Sequence, residues 1–264
     1  LNNIKRLNYQ PAIKGGLPDT VKVTHMLATI RELFMLDAAG GEILRANSVT
    51  AGYELDEGFI CAPGQVGGGV ASLLMDFVAY PDGNQLNTSL LALDINGNLL
   101  LCTPGDDPEF ISLPPPPTGW EGLKGFTMDM GNLYILDPKQ NAVWIYWKNR
   151  YDEEPQLFFS EEVPPMKDVI DLAVDKSDLY LLHADGHITL CTFSELEVAP
   201  TRCEDPLPYL DSRPGRENNL FIPEAPFTQI LSTQPPDPSL YFLEPDSWSI
   251  YQFSLRLLTF HRQL

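Results

Sequence analysis

A chain of 264 residues, 44% of them hydrophobic, has the material for one sizeable core. Its 36 acidic residues against 17 basic ones leave a net charge of −19, which repels phosphate backbones and anionic membrane surfaces and so excludes a nucleic-acid role. No apolar run approaches the roughly 18 residues of a membrane helix, and no signal-peptide pattern is present. No membrane insertion by this chain is therefore expected. It begins at Leu1 rather than Met, which reads as a processed form or an excised domain with any anchor or further domain upstream.

Residues 1–20 precede the first regular pattern. Asn8–Ile13 reads as an extended strand, broken by Gly15-Gly16-Leu17-Pro18. From there one phrase recurs five times: LFMLD at Leu33–Asp37, LLALD at Leu90–Asp94, LYILD at Leu133–Asp137, LYLLH at Leu179–His183 and LYFLE at Leu240–Glu244. Each is a short apolar strand ending in a polar residue, followed by a turn and another strand. A spacing of roughly 40–50 residues with about four strands per unit is the signature of a propeller blade. Helical repeats would need apolar residues at i, i+3, i+4 and i+7, and no such run is sustained.

The third unit shows the order within a blade: Phe126–Met130, Leu133–Asp137, Ala142–Trp147, Gln156–Phe159. The fourth repeats it with Val169–Val174, Leu179–His183, His187–Phe193 and Val198–Cys203. In the first unit His25–Ile30 should be the inner strand and Tyr53–Ile60 the outer edge. The 24 prolines cluster between units, as at Pro114–Pro117, where they cannot interrupt a central ladder. The expected fold is all-β: a β-propeller of four-stranded antiparallel blades, five in number, with six as the alternative. The single domain 1–264 divides into blades at about 21–60, 61–113, 114–160, 161–205 and 206–264. Residues 1–20 would close the ring by adding a strand to the last blade, which removes a free edge.

Several motifs suggest chemistry and then fail its requirements. The run Gly64-Gln-Val-Gly-Gly-Gly69 lacks the Gly-Lys-Ser/Thr of a phosphate loop and reads as a flexible link between blades. Asp94-Ile-Asn-Gly-Asn98 starts like a calcium loop, but Leu99 and Gly105 stand where Gly and Glu are needed, so it reads as a hairpin turn. No Gly-x-Ser-x-Gly elbow exists, and four histidines offer no nucleophile–base pair. His183 and His187 lie four apart across a hairpin, a weak metal pair. The polar stretch Glu204–Asn219 reads as a long loop, where binding tends to reside.

The four cysteines fall at related positions. Cys102 and Cys191 are on third strands, whereas Cys61 and Cys203 end fourth strands. Cys191–Cys203 would bridge adjacent strands of one blade, and Cys61–Cys102 would then link neighbouring blades. Two disulfides imply an oxidising, extracytoplasmic or cell-surface location; four buried thiols are the alternative.

Inner strands of a propeller line its channel. Aligning the five units by pattern puts His25, Asp76, Gly125, Asp171 and Gln229 at one level. Four of the five are polar. A ring of this kind lines a wet channel, binds a divalent cation, or orients water at a metal for hydrolysis.

The phrase "LY-aliphatic-LD", a turn, and a strand such as AVWIY or SIYQF resemble the NHL/YWTD class of β-propeller over about residues 21–264. The chain is also similar to uncharacterised extracytoplasmic bacterial propeller domains. It lacks the Gly-aliphatic-Ala lead-in of NHL repeats and departs from YWTD in the phrase itself. The resemblance implies a propeller and carries no ligand with it. The reading is a non-catalytic module that binds a protein or a glycan, or acts as a scaffold. The alternatives are a metal-assisted, lactonase- or esterase-like hydrolase centred on the channel, and a structural subunit of a cell-surface assembly. No cofactor is expected beyond a channel cation.

Overall fold

The phrase strands bury both faces. This is what a strand sandwiched between two neighbouring sheets requires, and it explains their unbroken apolar runs. A computed structural model describes residues 13–81, 87–160, 162–176, 178–193, 201–208, 210–211, 219–220, 226–233, 238–246, 249–255 and 259–263. They form five small antiparallel sheets arranged as a five-bladed propeller.

Blade one is β1 (Val23–Ala28), β2 (Glu32–Asp37), β3 (Glu42–Val49) and β4 (Gly52–Leu55). A separate hairpin of β5 (Gly64–Val66) and β6 (Gly69–Ala71) follows. Blade two is β7 (Leu74–Tyr80), β8 (Ser89–Asp94), β9 (Leu99–Cys102) and β10 (Glu109–Ile111). Blade three is β11 (Gly125–Asp129), β12 (Asn132–Asp137), β13 (Ala142–Tyr146) and β14 (Gln156–Leu157). Blade four is β15 (Val169–Asp175), β16 (Asp178–His183), β17 (Ile188–Phe193) and β18 (Thr201–Leu207). After β19 (Leu210–Asp211) and β20 (Asn219–Leu220), blade five is β21 (Gln229–Ser232), β22 (Ser239–Glu244), β23 (Ser249–Ser254) and β24 (Thr259–Gln263). β19 pairs parallel with β24 and widens this last sheet to six strands.

The phrase marks β2, β8, β12, β16 and β22, the second strand of every blade. Its polar last residue is a clamp. Asp37 Oδ1 accepts from the backbone N–H of Lys22 at 2.8 Å, Asp94 Oδ2 from Ser72 at 3.0 Å, and Asp137 Oδ2 from Glu121 at 2.9 Å. His183 Nδ1 donates to Asp168 Oδ1 at 2.9 Å. In each case the partner lies in the link that leads into the same blade. The other lone pairs of Asp37 and Asp94 take the N–H groups of the following turn. The Asp94–Asn98 segment is therefore a closed turn whose carboxylate is occupied by backbone.

Two local expectations change. The glycine run is no loose link: Val66 pairs with Gly69, and the two residues between them, Gly67 and Gly68, have φ of 48° and 95°, as a tight two-residue hairpin demands. A Cβ on Gly69 would lie 2.2 Å from the Phe110 ring, so the hairpin sits flush on the outer strand of blade two. The outer strand of blade four runs from Thr201 to Leu207, taking in residues expected to start a loop; within that stretch residues 209 and 212–218 lie outside the described residues. The expected closing strand Asn8–Ile13 lies outside the described residues except for Ile13, which bridges Tyr53 on the outer strand of blade one.

Both expected disulfides are present, Cys61–Cys102 and Cys191–Cys203. The second joins directly opposed residues of β17 and β18. Cys61 lies in the link beyond β4 and not at a strand end. Apolar clusters fill the gaps between blades one and two, two and three, three and four, and four and five.

Candidate functional site: the axial ring

The ring residues occupy matching positions because their strands share an irregularity. In β1, β7 and β15 the register slips just before His25, Asp76 and Asp171. A bulge re-aims the side chain that follows it, and here it turns these side chains toward the axis and the next blade.

What they meet there is backbone. Asp76 Oδ1 accepts from Phe77 N–H at 2.7 Å, and Oδ2 accepts from Phe126 N–H of blade three at 2.7 Å. Asp171 repeats the arrangement with Leu172 at 2.8 Å and Ile230 of blade five at 2.7 Å. Gln229 Oε1 accepts from Met26 N–H of blade one at 2.8 Å. Three of the five positions thus carry the sheet's hydrogen bonding around the axis, from each blade to the next. Gly125 completes the arrangement by being small: a Cβ there would stand 2.8 Å from Asp76 Oδ2 and 3.2 Å from Asp171 Oδ1.

The structure gathers His25, Asp76 and Asp171 so that one ligand atom of each lies within 4.8 Å of the others. His25 Nε2 is 3.9 Å from Asp76 Oδ1, beyond hydrogen-bond reach, and its Nδ1 meets Thr24 Oγ1 at 3.1 Å. Both carboxyls are 3% exposed. Burial pushes Asp76 up to about 7 against the pull of its two backbone N–H donors. Asp171 is raised well above the usual carboxylate range, by burial first and by the Asp76 charge second. Burial pushes His25 down to about 4. At neutral pH the ring holds a neutral imidazole and carboxyls that favour keeping a proton. The donor set suits a divalent cation in kind, although every carboxylate oxygen already accepts one backbone N–H.

A second cluster joins His183, His187 and Asp205. The two imidazoles stack with centroids 3.8 Å apart and planes 16° from parallel. Lone pairs in nearly parallel, offset planes do not converge on one ion. The ring nitrogens are engaged instead: His183 Nε2 with Thr189 at 2.8 Å, and His187 Nε2 with Asp205 at 3.2 Å. This pair reads as a side-chain stack that pins the blade-four hairpin.

Sequence reasoning passed over a set of exposed aliphatic residues at the turn end of blades one and two: Ile60, Val70, Leu73 and Ile95. Leu73 and Ile95 are held together by an Ile95 N–H to Leu73 carbonyl bond of 3.0 Å. Of the four, Ile95 lies in a turn, where polar residues are the rule, and that was the available signal.

No protein-family model and no curated protein sequence matches the chain. Solved propellers do. A catalytically inactive virginiamycin B lyase from Staphylococcus aureus, with quinupristin, aligns at 13% identity and a TM-score of 0.50, covering 92% of this chain and 70% of that one. The nidogen/laminin complex aligns at 12% and 0.48, covering 89% and 92%. PorZ, a surface component of the type-IX secretion system of Porphyromonas gingivalis, aligns at 12% and 0.45; 92% of this chain corresponds to 28% of PorZ. At these identities the likeness is one of fold, and the chain is a five-bladed β-propeller.

Proposed function

We propose that this propeller is an extracytoplasmic, non-catalytic module that binds a protein partner through the turn end of blades one and two. The observation that carries the reading is the state of the ring carboxyls: both are sealed from solvent and committed to backbone N–H groups, so they act as ties between blades. Binding then falls to the surface. Ile60, Val70, Leu73 and Ile95 are each roughly half exposed, on a chain whose net charge of −19 favours a partner with basic groups around an apolar centre. The two disulfides support an oxidising compartment.

The test is capture of a partner from a cell-envelope extract of the source organism by the wild type, by Leu73→Asp/Ile95→Asp, and by Asp76→Asn. The partner should be lost only with the surface pair. A partner retained by that pair overturns the surface assignment. The His25–Asp76–Asp171 spacing favours a second reading, a metal-assisted hydrolase. One equivalent of divalent metal in the purified wild type, lost in Asp76→Ala/Asp171→Ala, would replace the first reading with this one.

A further inference from the structure

We infer that the outer groove between blades three and four is a carbohydrate site that takes one or two pyranose rings, separate from the protein-binding surface. The groove encloses about 300 Å³, at the small end of ligand pockets. Its floor is aromatic. Phe158 is buried, with Tyr134 on one side and Phe193 of blade four on the other, each at 6.4 Å between centroids. Trp147 stands at the rim, 38% exposed. A large indole left this open just beyond a third strand has nothing to gain from water.

The rim is polar and ordered. Trp147 Nε1 donates to Gln156 Oε1 at 3.1 Å, which fixes both side chains. Lys148 N–H donates to Asn132 Oδ1 at 3.0 Å. Gln156 spends its oxygen on the indole, and among the described residues its NH₂ group donates to none. Lys176, held at φ 61°, also lines the groove.

A sugar ring has an apolar face of C–H groups and an edge of hydroxyls. It matches an aromatic surface bordered by amide and ammonium donors. An apolar peptide side chain would leave those donors unpaired on burial. The larger cavity between blades five and one, about 500 Å³, is lined mostly by aliphatic residues.

The experiment is a glycan array probed with the wild-type protein, followed by calorimetric titration of the bound class alongside a neutral and a uronic-acid trisaccharide. Binding of at least one pyranose glycan is expected. Trp147→Ala should weaken it at least about tenfold, Gln156→Ala should weaken it less, and Leu73→Asp/Ile95→Asp should leave it unchanged. Wild-type melting temperatures in the variants exclude loss of fold. A uronate preference lost in Lys176→Gln would place the carboxylate at that ammonium. No glycan bound by the wild type, binding indifferent to Trp147→Ala, or capture of aromatic peptides in place of glycans each overturns the inference. None of these results bears on capture of a protein at Leu73 and Ile95, so the two proposals fail separately.

Discussion

The boundary between blades one and two and the boundary between blades five and one are built differently. The first contains Phe34, Phe77 and Leu90 in one buried cluster and is stapled beside it by Cys61–Cys102. It is also tied by Glu32, which holds buried Arg45 on one side and accepts from Thr88 N–H at 2.9 Å on the other. The last boundary has no cluster spanning it among the described residues. Blade one covers its own face there with Ile13 and Leu17 over Met26 and Met35. Two hydrogen bonds cross: Met26 N–H to Gln229, and Thr228 Oγ1 to the Thr24 carbonyl at 3.3 Å. Beside them lies the 500 Å³ cavity, bordered by Met26, Leu231, Tyr241 and Leu243. Among the described residues, an apolar cluster spans each of four boundaries, and the polar clasp crosses the fifth. That makes the fifth the place where the ring opens most easily.

Truncations should expose the contrast first. Phe77→Ala removes a fully packed ring and should cost about 3–5 kcal/mol in denaturant titration, whereas Leu243→Ala, already beside a void, should cost well under half of that. Equal losses would mean that the last boundary is as tightly packed as the first.

Next come the disulfides. Replacing Cys61 and Cys102 by Ser frees a loop of 41 residues and should cost about 4 kcal/mol; the 12-residue loop of Cys191–Cys203 should cost about 3 kcal/mol when opened the same way. Thermal melts of the two double variants would rank them.

The clasp is a smaller target with a sharper readout. Gln229→Ala strands the Met26 N–H and should cost about 1–3 kcal/mol. Amides of residues 26–28 and 230–232 should then exchange faster in hydrogen–deuterium exchange, while those of 77–79 stay protected. Loss of protection spread evenly around the ring would contradict a local opening.

The smallest effect in the wild type should be its pH dependence, because two buried groups oppose each other. Asp76 holds its proton more tightly when folded. Its contribution is full below about pH 4 and is lost as the pH climbs through about 7. His25 is neutral when folded. Its contribution is full above about pH 6.5 and is lost as the pH falls through about 4. Between pH 4 and 6.5 the slopes run against each other. Asp171, also raised by burial, acts in the same direction as Asp76, so Asp76→Asn/Asp171→Asn should unmask a stability that rises with pH across that window, and His25→Gln one that falls. Unchanged slopes in both variants would show that the ring does not titrate.

The sequence announced the blades because each second strand is a buried apolar run that ends in a polar residue, so composition alone marks it five times, and in four blades that residue clamps the incoming link. Register then carried His25, Asp76, Asp171 and Gln229 to one level. Their partners were hidden, since an N–H such as that of Phe126 or Ile230 has no letter of its own and lies on the next blade. The groove under Trp147 was hidden for a similar reason: Trp147 follows the third strand and Gln156 opens the fourth strand of one blade, and Phe193 ends the third strand of another. The run Gly64–Gly69 was misread because glycine marks looseness and tight turns alike, and only the Phe110 ring against Gly69 distinguishes them.

The clamps at the ends of the second strands have a consequence for how the chain is made. Each closes a loop of only 15 to 22 residues within its own blade. Short loops close quickly and at low entropic cost. A chain emerging from a ribosome or a translocation pore can therefore finish its blades one at a time, each registered before the next appears. The clasp at Gln229 joins residues 203 positions apart, so it must wait for the whole chain. Until it forms, the molecule is an open row of nearly complete blades, and its last act of folding is to bend into a ring.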